Sequence, residues 1–67
     1  MSNEDMAIIV ENIISKRDEN YERYGTVIVT VRDTDTNRVE TASADWDLFC
    51  SEGEATANAI KKASDRL

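Results

Sequence analysis

Apolar residues near the start of the chain recur at spacings of three and four positions. At 100° per residue, this spacing places them on one stripe of an α-helix. The stripe consists of Met6, Ile9, Val10, Ile13 and Ile14. The pattern predicts a helix over about residues 3–20, with Ile8 on its opposite side. We interpret Ile8 as an isolated exposed residue, with a contact surface as the alternative.

Residues 26–32 form the clearest strand pattern, because almost every side chain there is β-branched and suits a pleated surface. Alternation places Val27, Val29 and Val31 on one face, which we expect to meet the helices. The other face carries Thr26, Ile28, Thr30 and Arg32, and we expect it to be partly wet. Phe49 is predicted to join Ile28 there, which would make that face a recognition surface.

The turn residues at 33–37 predict a hairpin between this strand and a second one at residues 38–44. A third strand facing the core is predicted from alternating apolar residues, namely Trp46, Leu48 and Cys50. The junction at Ala44 and Asp45 leaves one alternative open, in which the second and third strands are a single bent strand.

A capping box marks the start of a last helix. The Ser51 hydroxyl can accept from the Glu54 amide, while the Glu54 carboxylate reaches back to the Ser51 amide. The helix is predicted over residues 52–66. Its alanine-rich stripe would allow a close approach to a sheet.

The order of elements is therefore helix, hairpin, third strand, helix. The simplest packing places both helices on one face of a small antiparallel sheet, so we expect an α+β two-layer sandwich with αβββα order. A chain of 67 residues predicts a single domain spanning 1–67.

The amino-acid composition limits which catalytic, disulfide and metal-binding chemistry is available to the chain. The chain has no His, which removes the commonest general base, and its one Cys, Cys50, excludes a disulfide framework. Asp33, Asp35 and Asn37 match the start of a calcium loop, but Arg38 stands where that motif requires Gly. We therefore expect no enzyme activity, no cofactor and no metal.

No apolar run approaches the roughly 20 residues that a membrane-spanning helix needs. The residues before the first apolar run are acidic, unlike the start of a secretory signal. We expect a cytoplasmic protein with Cys50 reduced and no membrane partner.

Eight basic and 14 acidic residues give a net charge of −6, which disfavours a nucleic-acid backbone as partner. Carboxylates gathered on one face would instead attract a basic, nucleic-acid-handling protein. The alternative is a solvated surface whose charge only keeps the protein soluble. The residues expected to contact that partner are Asp33, Asp35, Asp45 and Asp47. The leading hypothesis is an acidic protein-interaction module, a binder or inhibitor that resembles phage-type anti-restriction and anti-CRISPR proteins in kind.

Two alternatives remain. The order of elements and the alanine-rich last helix are similar to the double-stranded-RNA-binding domain, and this resemblance implies RNA binding. That family places lysines where this chain has Ser51, Glu52, Gly53 and Glu54, so binding would depend on Arg32, Arg38, Lys61, Lys62 and Arg66. The other alternative is a self-assembling protein or homodimer that pairs through a sheet edge or through Ile8.

Overall fold

The computed structural model describes residues 7–67, which form three strands followed by one helix. The elements are β1 (Ile8–Arg17), β2 (Gly25–Asp33), β3 (Arg38–Trp46) and α1 (Glu52–Asp65). Both strand pairs are antiparallel, and β2 lies at the centre of the sheet. The architecture is therefore βββα, and the predicted αβββα sandwich with two helices on one face is wrong.

The first predicted helix is the source of that error, because residues 8–17 of it form the strand β1 and residues 18–20 begin a loop. Five of the ten residues of β1 are Ile or Val, and these β-branched side chains suit a pleated strand. A β-bulge between Val10 and Asn12 shifts the alternation by one residue. The shifted pattern resembles helical spacing. The start of the predicted helix, including Met6, lies outside the described residues.

The predicted hairpin is confirmed. Val27 pairs with Ala44 and Asp33 pairs with Arg38, with the turn at Thr34–Asn37 between the two strands. The turn closes when the Asn37 amide donates to the Asp33 carbonyl at 2.7 Å. Asn37 has a φ of 61°, a left-handed conformation that Asn tolerates better than most residues.

The predicted third strand is wrong, because β3 continues to Trp46 and the chain then turns. The Asp47 carboxylate accepts the amides of Phe49 at 2.8 Å and Cys50 at 2.9 Å. These bonds give the backbone a turn in place of a strand ladder. The structure is nearer to the alternative of one bent strand, because β3 runs through the junction at Ala44 and Asp45 without a break, but it ends at Trp46, before Leu48 and Cys50.

The core lies between α1 and the strands β2 and β3. Val27, Val29 and Val31 are fully buried, which confirms the prediction that the valine face meets a helix. They pack against the small residues Ala42, Ala55, Ala59 and Ala63. The last helix is also confirmed, and the Ser51 hydroxyl caps it by accepting from the Glu54 amide at 3.1 Å.

The topology gives the molecule two different ends along its 46 Å length. At one end β1 finishes, β2 starts, β3 finishes and α1 starts. We call this the loop end: loops 18–24 and 47–51 with the residues adjoining them. The opposite, hairpin end holds the β2–β3 turn and the end of α1, where Arg38 donates to the Leu67 carbonyl at 2.9 Å.

Candidate protein-interaction surface at the loop end

The excess negative charge of the described residues is concentrated at the loop end. Seven carboxylates and three cations lie there, giving a net side-chain charge of −4. The carboxylates are Asp18, Glu19, Glu22, Asp45, Asp47, Glu52 and Glu54, and the cations are Lys16, Arg17 and Arg23. The other described residues carry five acidic and five basic side chains, which balance. The fold therefore gathers charge that the linear sequence distributes over nearly 40 positions.

Large apolar side chains are exposed among these carboxylates. Phe49 is 93% exposed, Tyr21 62% and Leu48 53%. A Phe exposed to this extent contributes almost none of the roughly 1.5–3 kcal/mol that burial of its side chain would add to stability. Exposed aromatic and aliphatic groups surrounded by polar residues are typical of protein-binding surfaces.

Both loops are held by an aspartate whose carboxylate accepts backbone amides. Asp47 fixes the turn that presents Phe49, as described above. Asp18 accepts the amides of Asn20 at 2.7 Å and Tyr21 at 3.2 Å. The Tyr21 ring packs edge-to-face on Tyr24, with centroids 5.5 Å apart. The exposed rings are therefore presented on ordered turns, which lowers the entropy lost when a partner binds.

Trp46, the last residue of β3, packs beneath the loop end against the first residue of β2. Its indole lies against Gly25 on the opposite strand, in space that any larger residue would occupy. A shallow depression runs from Trp46 past Leu48 and Phe49 to the start of α1. The indole Nε1 is buried without a hydrogen-bond partner among the described residues.

The four aspartates predicted to contact a partner fall into two separate pairs. Asp45 and Asp47 lie at the loop end, whereas Asp33 and Asp35 lie in the hairpin turn. Asp45 pairs with Thr26 across the sheet, and Thr26 stands seven residues before Asp33 along β2. The pairs are therefore roughly 23 Å apart at about 3.3 Å per residue.

Three of these aspartates also have structural roles. Asp33 accepts the Asp35 amide at 2.9 Å, and Asp45 accepts the Thr26 hydroxyl at 2.9 Å. Asp47 holds the turn that presents Phe49. Because the two pairs lie near opposite ends of β2 and β3, a partner that contacted both would have to span the length of the sheet.

The cations of the nucleic-acid alternative are mostly engaged within the protein. Arg32 forms a 2.6 Å ion pair with Glu11, whose hydrogen bond and charge raise the pKa of the guanidinium. Arg38, Lys62 and Arg66 each donate to a backbone carbonyl, of Leu67, Ser43 and Thr41 respectively. Arg32 projects from the sheet face that α1 leaves open, whereas Lys62 and Arg66 lie along β3. Lys61, Lys62 and Arg66 line two adjoining depressions beside β3, and Asp45 and Asp65 lie in the same depression as Lys61 and Lys62.

Sequence reasoning missed Tyr21 and Leu48 as surface residues and placed Phe49 on the open sheet face. Phe49 lies instead in the turn after β3. One signal could have located it: Asp47 stands two and three residues before the amides it accepts, the spacing of an Asx turn. The alternating Trp46, Leu48 and Cys50 concealed that signal.

Within residues 7–67, no group of three or more His, Cys, Asp and Glu residues is placed to hold a metal ion. Cys50 is a free, half-buried thiol. No helix in the same range is long and apolar enough to span a bilayer. Comparison with protein-family models, with curated proteins and with solved structures finds no match.

Proposed function

We propose that this chain is a small non-catalytic protein-interaction module. It binds the basic surface of a nucleic-acid-handling protein and thereby inhibits or recruits that protein. The loop end is the proposed contact. The observation that carries the proposal is Phe49, 93% exposed on a turn fixed by Asp47. It lines a depression together with three carboxylates and one cation, namely Glu22, Asp47, Glu54 and Arg23. The proposed compartment is the cytoplasm, where a lone thiol such as Cys50 stays reduced.

The arrangement resembles the anatomy of a binding interface. Interfaces have an apolar, aromatic-rich centre that supplies most of the affinity and a polar rim. Phe49 and Leu48 would form the centre, and Glu22 and Glu54 lie beside them on the same depression. The net charge of −4 at this end complements a basic groove and would steer its approach.

The choice of a nucleic-acid-handling partner follows from that complementarity. Proteins that bind nucleic acids have Lys- and Arg-lined grooves with apolar or stacking groups between the cations. The carboxylates of this surface would pair with the cations of such a groove, and the projecting aromatic ring would pack on its apolar or stacking groups. In the proposed contact Asp45 and Asp47 are rim residues, whereas Asp33 and Asp35 lie outside it.

Nuclear magnetic resonance with an octa-arginine peptide tests where the charge acts. We expect amide shifts confined to residues 18–24 and 45–54 that vanish as salt is added, because exposed charges are screened at high ionic strength. The variant Glu19→Gln/Glu22→Gln should weaken binding several-fold. The matched control Asp35→Asn/Asp65→Asn removes the same charge at exposed sites outside the loop end and should change little. Equal effects of the two double variants would refute a localised acidic site.

Affinity capture from cell extract, followed by binding measurements on the purified captured protein, tests the apolar centre. Phe49→Ala should weaken that binding at least tenfold, as expected for an aromatic hot spot. Val39→Ala removes an exposed apolar side chain from the hairpin end and serves as control. The proposal fails if the two variants bind alike, or if the captured protein lacks a basic surface.

A low-salt mobility-shift assay addresses the nucleic-acid alternative. We expect no shift of duplex RNA or DNA, because the net charge repels phosphate and four of the five candidate cations form hydrogen bonds or an ion pair within the protein. A clear shift that Lys62→Ala or Arg66→Ala abolishes would establish direct nucleic-acid binding in place of this proposal.

A further inference from the structure

The strand β1 is exposed along its whole length, although half of it is strongly apolar. It is an edge strand, and α1 packs on β2 and β3 while barely reaching it. All ten residues are exposed. The five large aliphatic side chains are between 38% and 47% exposed, namely Ile8, Ile9, Val10, Ile13 and Ile14.

An exposed edge of this kind is normally protected. Its free amides and carbonyls can pair with another strand, so edge strands usually carry central charges, prolines or a covering element. The only charged residue between Ile8 and Ser15 is Glu11, which is bonded to Arg32 on β2. Lys16 and Arg17 stand at the end of the strand, and within residues 7–67 no proline or covering element protects its centre.

The apolar pattern of β1 is the same read in either direction. Residues 9–14 have the order Ile-Val-Glu-Asn-Ile-Ile, two apolar residues on each side of two polar ones. When identical strands pair antiparallel, a two-fold axis brings each residue of one half opposite the other half, so such a palindrome places apolar residues opposite apolar residues. Pairing with an unrelated strand does not require a palindromic apolar pattern.

Because of the β-bulge, residues that the palindrome pairs with each other also lie on the same face of the sheet. Through the pairing with β2, Val10 and Ile13 share a face with the buried Val31 and Val29, while Ile9 and Ile14 lie on the opposite face with Arg32 and Ile28. With Glu11 set aside as the extra residue of the bulge, a symmetric register has Asn12 opposite its own copy. Val10 then faces Ile13 of the second chain, Ile9 faces Ile14 and Ile8 faces Ser15.

We propose that a second copy of this chain docks antiparallel on β1 in this register, forming a continuous six-stranded sheet with Asn12 on the two-fold axis. Every apolar pair lies on matching faces, and no two like charges stand directly opposite, which would be destabilising. A standard interface takes about 800 Å² from each partner, about a sixth of this molecule's 4820 Å² surface. Edge pairing alone buries less than that, so the dimer should be weak and concentration-dependent.

Analytical ultracentrifugation of the intact chain tests the dimer with a matched pair of variants. We expect the mass to rise from one chain to two between about 1 µM and 1 mM, the range for a small interface. Val10→Lys should remain monomeric throughout. Val39→Lys makes the same change on β3 at nearly equal exposure, 44% against 43%, and should still dimerise. A wild-type chain that stays monomeric, or equal behaviour of the two variants, overturns the proposal.

Cysteine cross-linking tests the register and does not depend on the behaviour of the Lys variants. In a Cys50→Ser background, Asn12→Cys should form a disulfide-linked dimer on mild oxidation, since directly opposite antiparallel residues have Cα atoms about 4.5–5.5 Å apart. Ser15→Cys is the control, because its copy would lie roughly 20 Å away, six residues along the strand. Efficient cross-linking through residue 15, or none through residue 12, would contradict this register.

Salt dependence separates this proposal from the proposed function. Two chains of net charge −6 repel each other, so added salt should strengthen the dimer. Binding of a basic partner at the loop end should weaken under the same conditions. A dimer that dissociates as salt is added would overturn the β1 interface and leave the loop-end proposal standing.

Discussion

The two glycines of this chain should respond in opposite directions to the same substitution. Gly25 starts β2 opposite Trp46, and a Cβ added there would fall within 3.0 Å of two indole atoms and of the Lys16 carbonyl oxygen. Gly53 lies in the first turn of α1, where the nearest atom to an added Cβ is the Ser51 hydroxyl oxygen at 3.8 Å. Neither glycine has a positive φ, so backbone strain does not enter the comparison.

The expected magnitudes follow from these contacts. Gly25→Ala overpacks the site, because the indole and the backbone of β1 must both move, and overpacking costs about 1–3 kcal/mol. Gly53→Ala meets open space and restricts the unfolded chain, so it should stabilise by about 0.4–1 kcal/mol. In a domain of this size, 1 kcal/mol corresponds to roughly 4–8 °C in the melting temperature.

Thermal and urea unfolding monitored by Trp46 fluorescence measures both effects, because this is the only tryptophan in the chain. Gly25→Ala should also shift the native emission to longer wavelength as the indole moves toward water. The reasoning is refuted if Gly25→Ala leaves both the melting temperature and the emission unchanged. It is equally refuted if Gly53→Ala destabilises as much as Gly25→Ala.

Two further substitutions test the core and the helix start. Val29→Ala removes two methyl groups from a fully buried side chain and should cost about 2 kcal/mol in urea unfolding, from about 0.8 kcal/mol per group plus a cavity term. Val39→Ala, at an exposed site, should cost less than about 0.5 kcal/mol, and an equal loss would show that burial of Val29 does not set the cost. Ser51→Ala removes the cap of α1 and should lower stability by about 1 kcal/mol, with helical circular dichroism reporting the loss. Ser51→Thr should retain most of that stability, and a full loss in it would exclude the hydroxyl as the cause.

The hairpin and the last helix could be predicted because their signals are local. The β-branched run of β2, the turn residues after Asp33 and the cap at Ser51 each favour one conformation within a few positions. The structure has each of these features where the pattern indicates it. Tertiary contacts reinforce these preferences and do not override them.

The first segment was misread because its apolar spacing fits two structures. Ile9, Val10, Ile13 and Ile14 match the helical period, but the same spacing arises in a strand whose alternation is shifted by a bulge at Glu11. Its richness in Ile and Val favours the strand, a propensity that the helical spacing does not reflect. Pairing with β2 decides between the two, because it satisfies one edge of the central strand.

The candidate surface was only partly predictable. The net negative charge is a property of the sequence, but its concentration at one end arises because β1, β2, β3 and α1 all start or finish there. No local pattern shows that residues 18–24 and 47–51 are neighbours. The same topology separates Asp33 and Asp35 from Asp45 and Asp47, which are equivalent in the linear sequence.

By itself, the sequence determined the central strand, the hairpin, the capped helix and the overall charge, since each depends on a few adjacent residues or on composition alone. Only the tertiary structure decided that β1 is an exposed edge strand, that Phe49 projects from a turn, and where the carboxylates gather. These outcomes depend on which distant segments share hydrogen bonds and apolar surface. Short-range preferences are too weak to fix such pairings when a spacing such as that of β1 suits both a helix and a bulged strand.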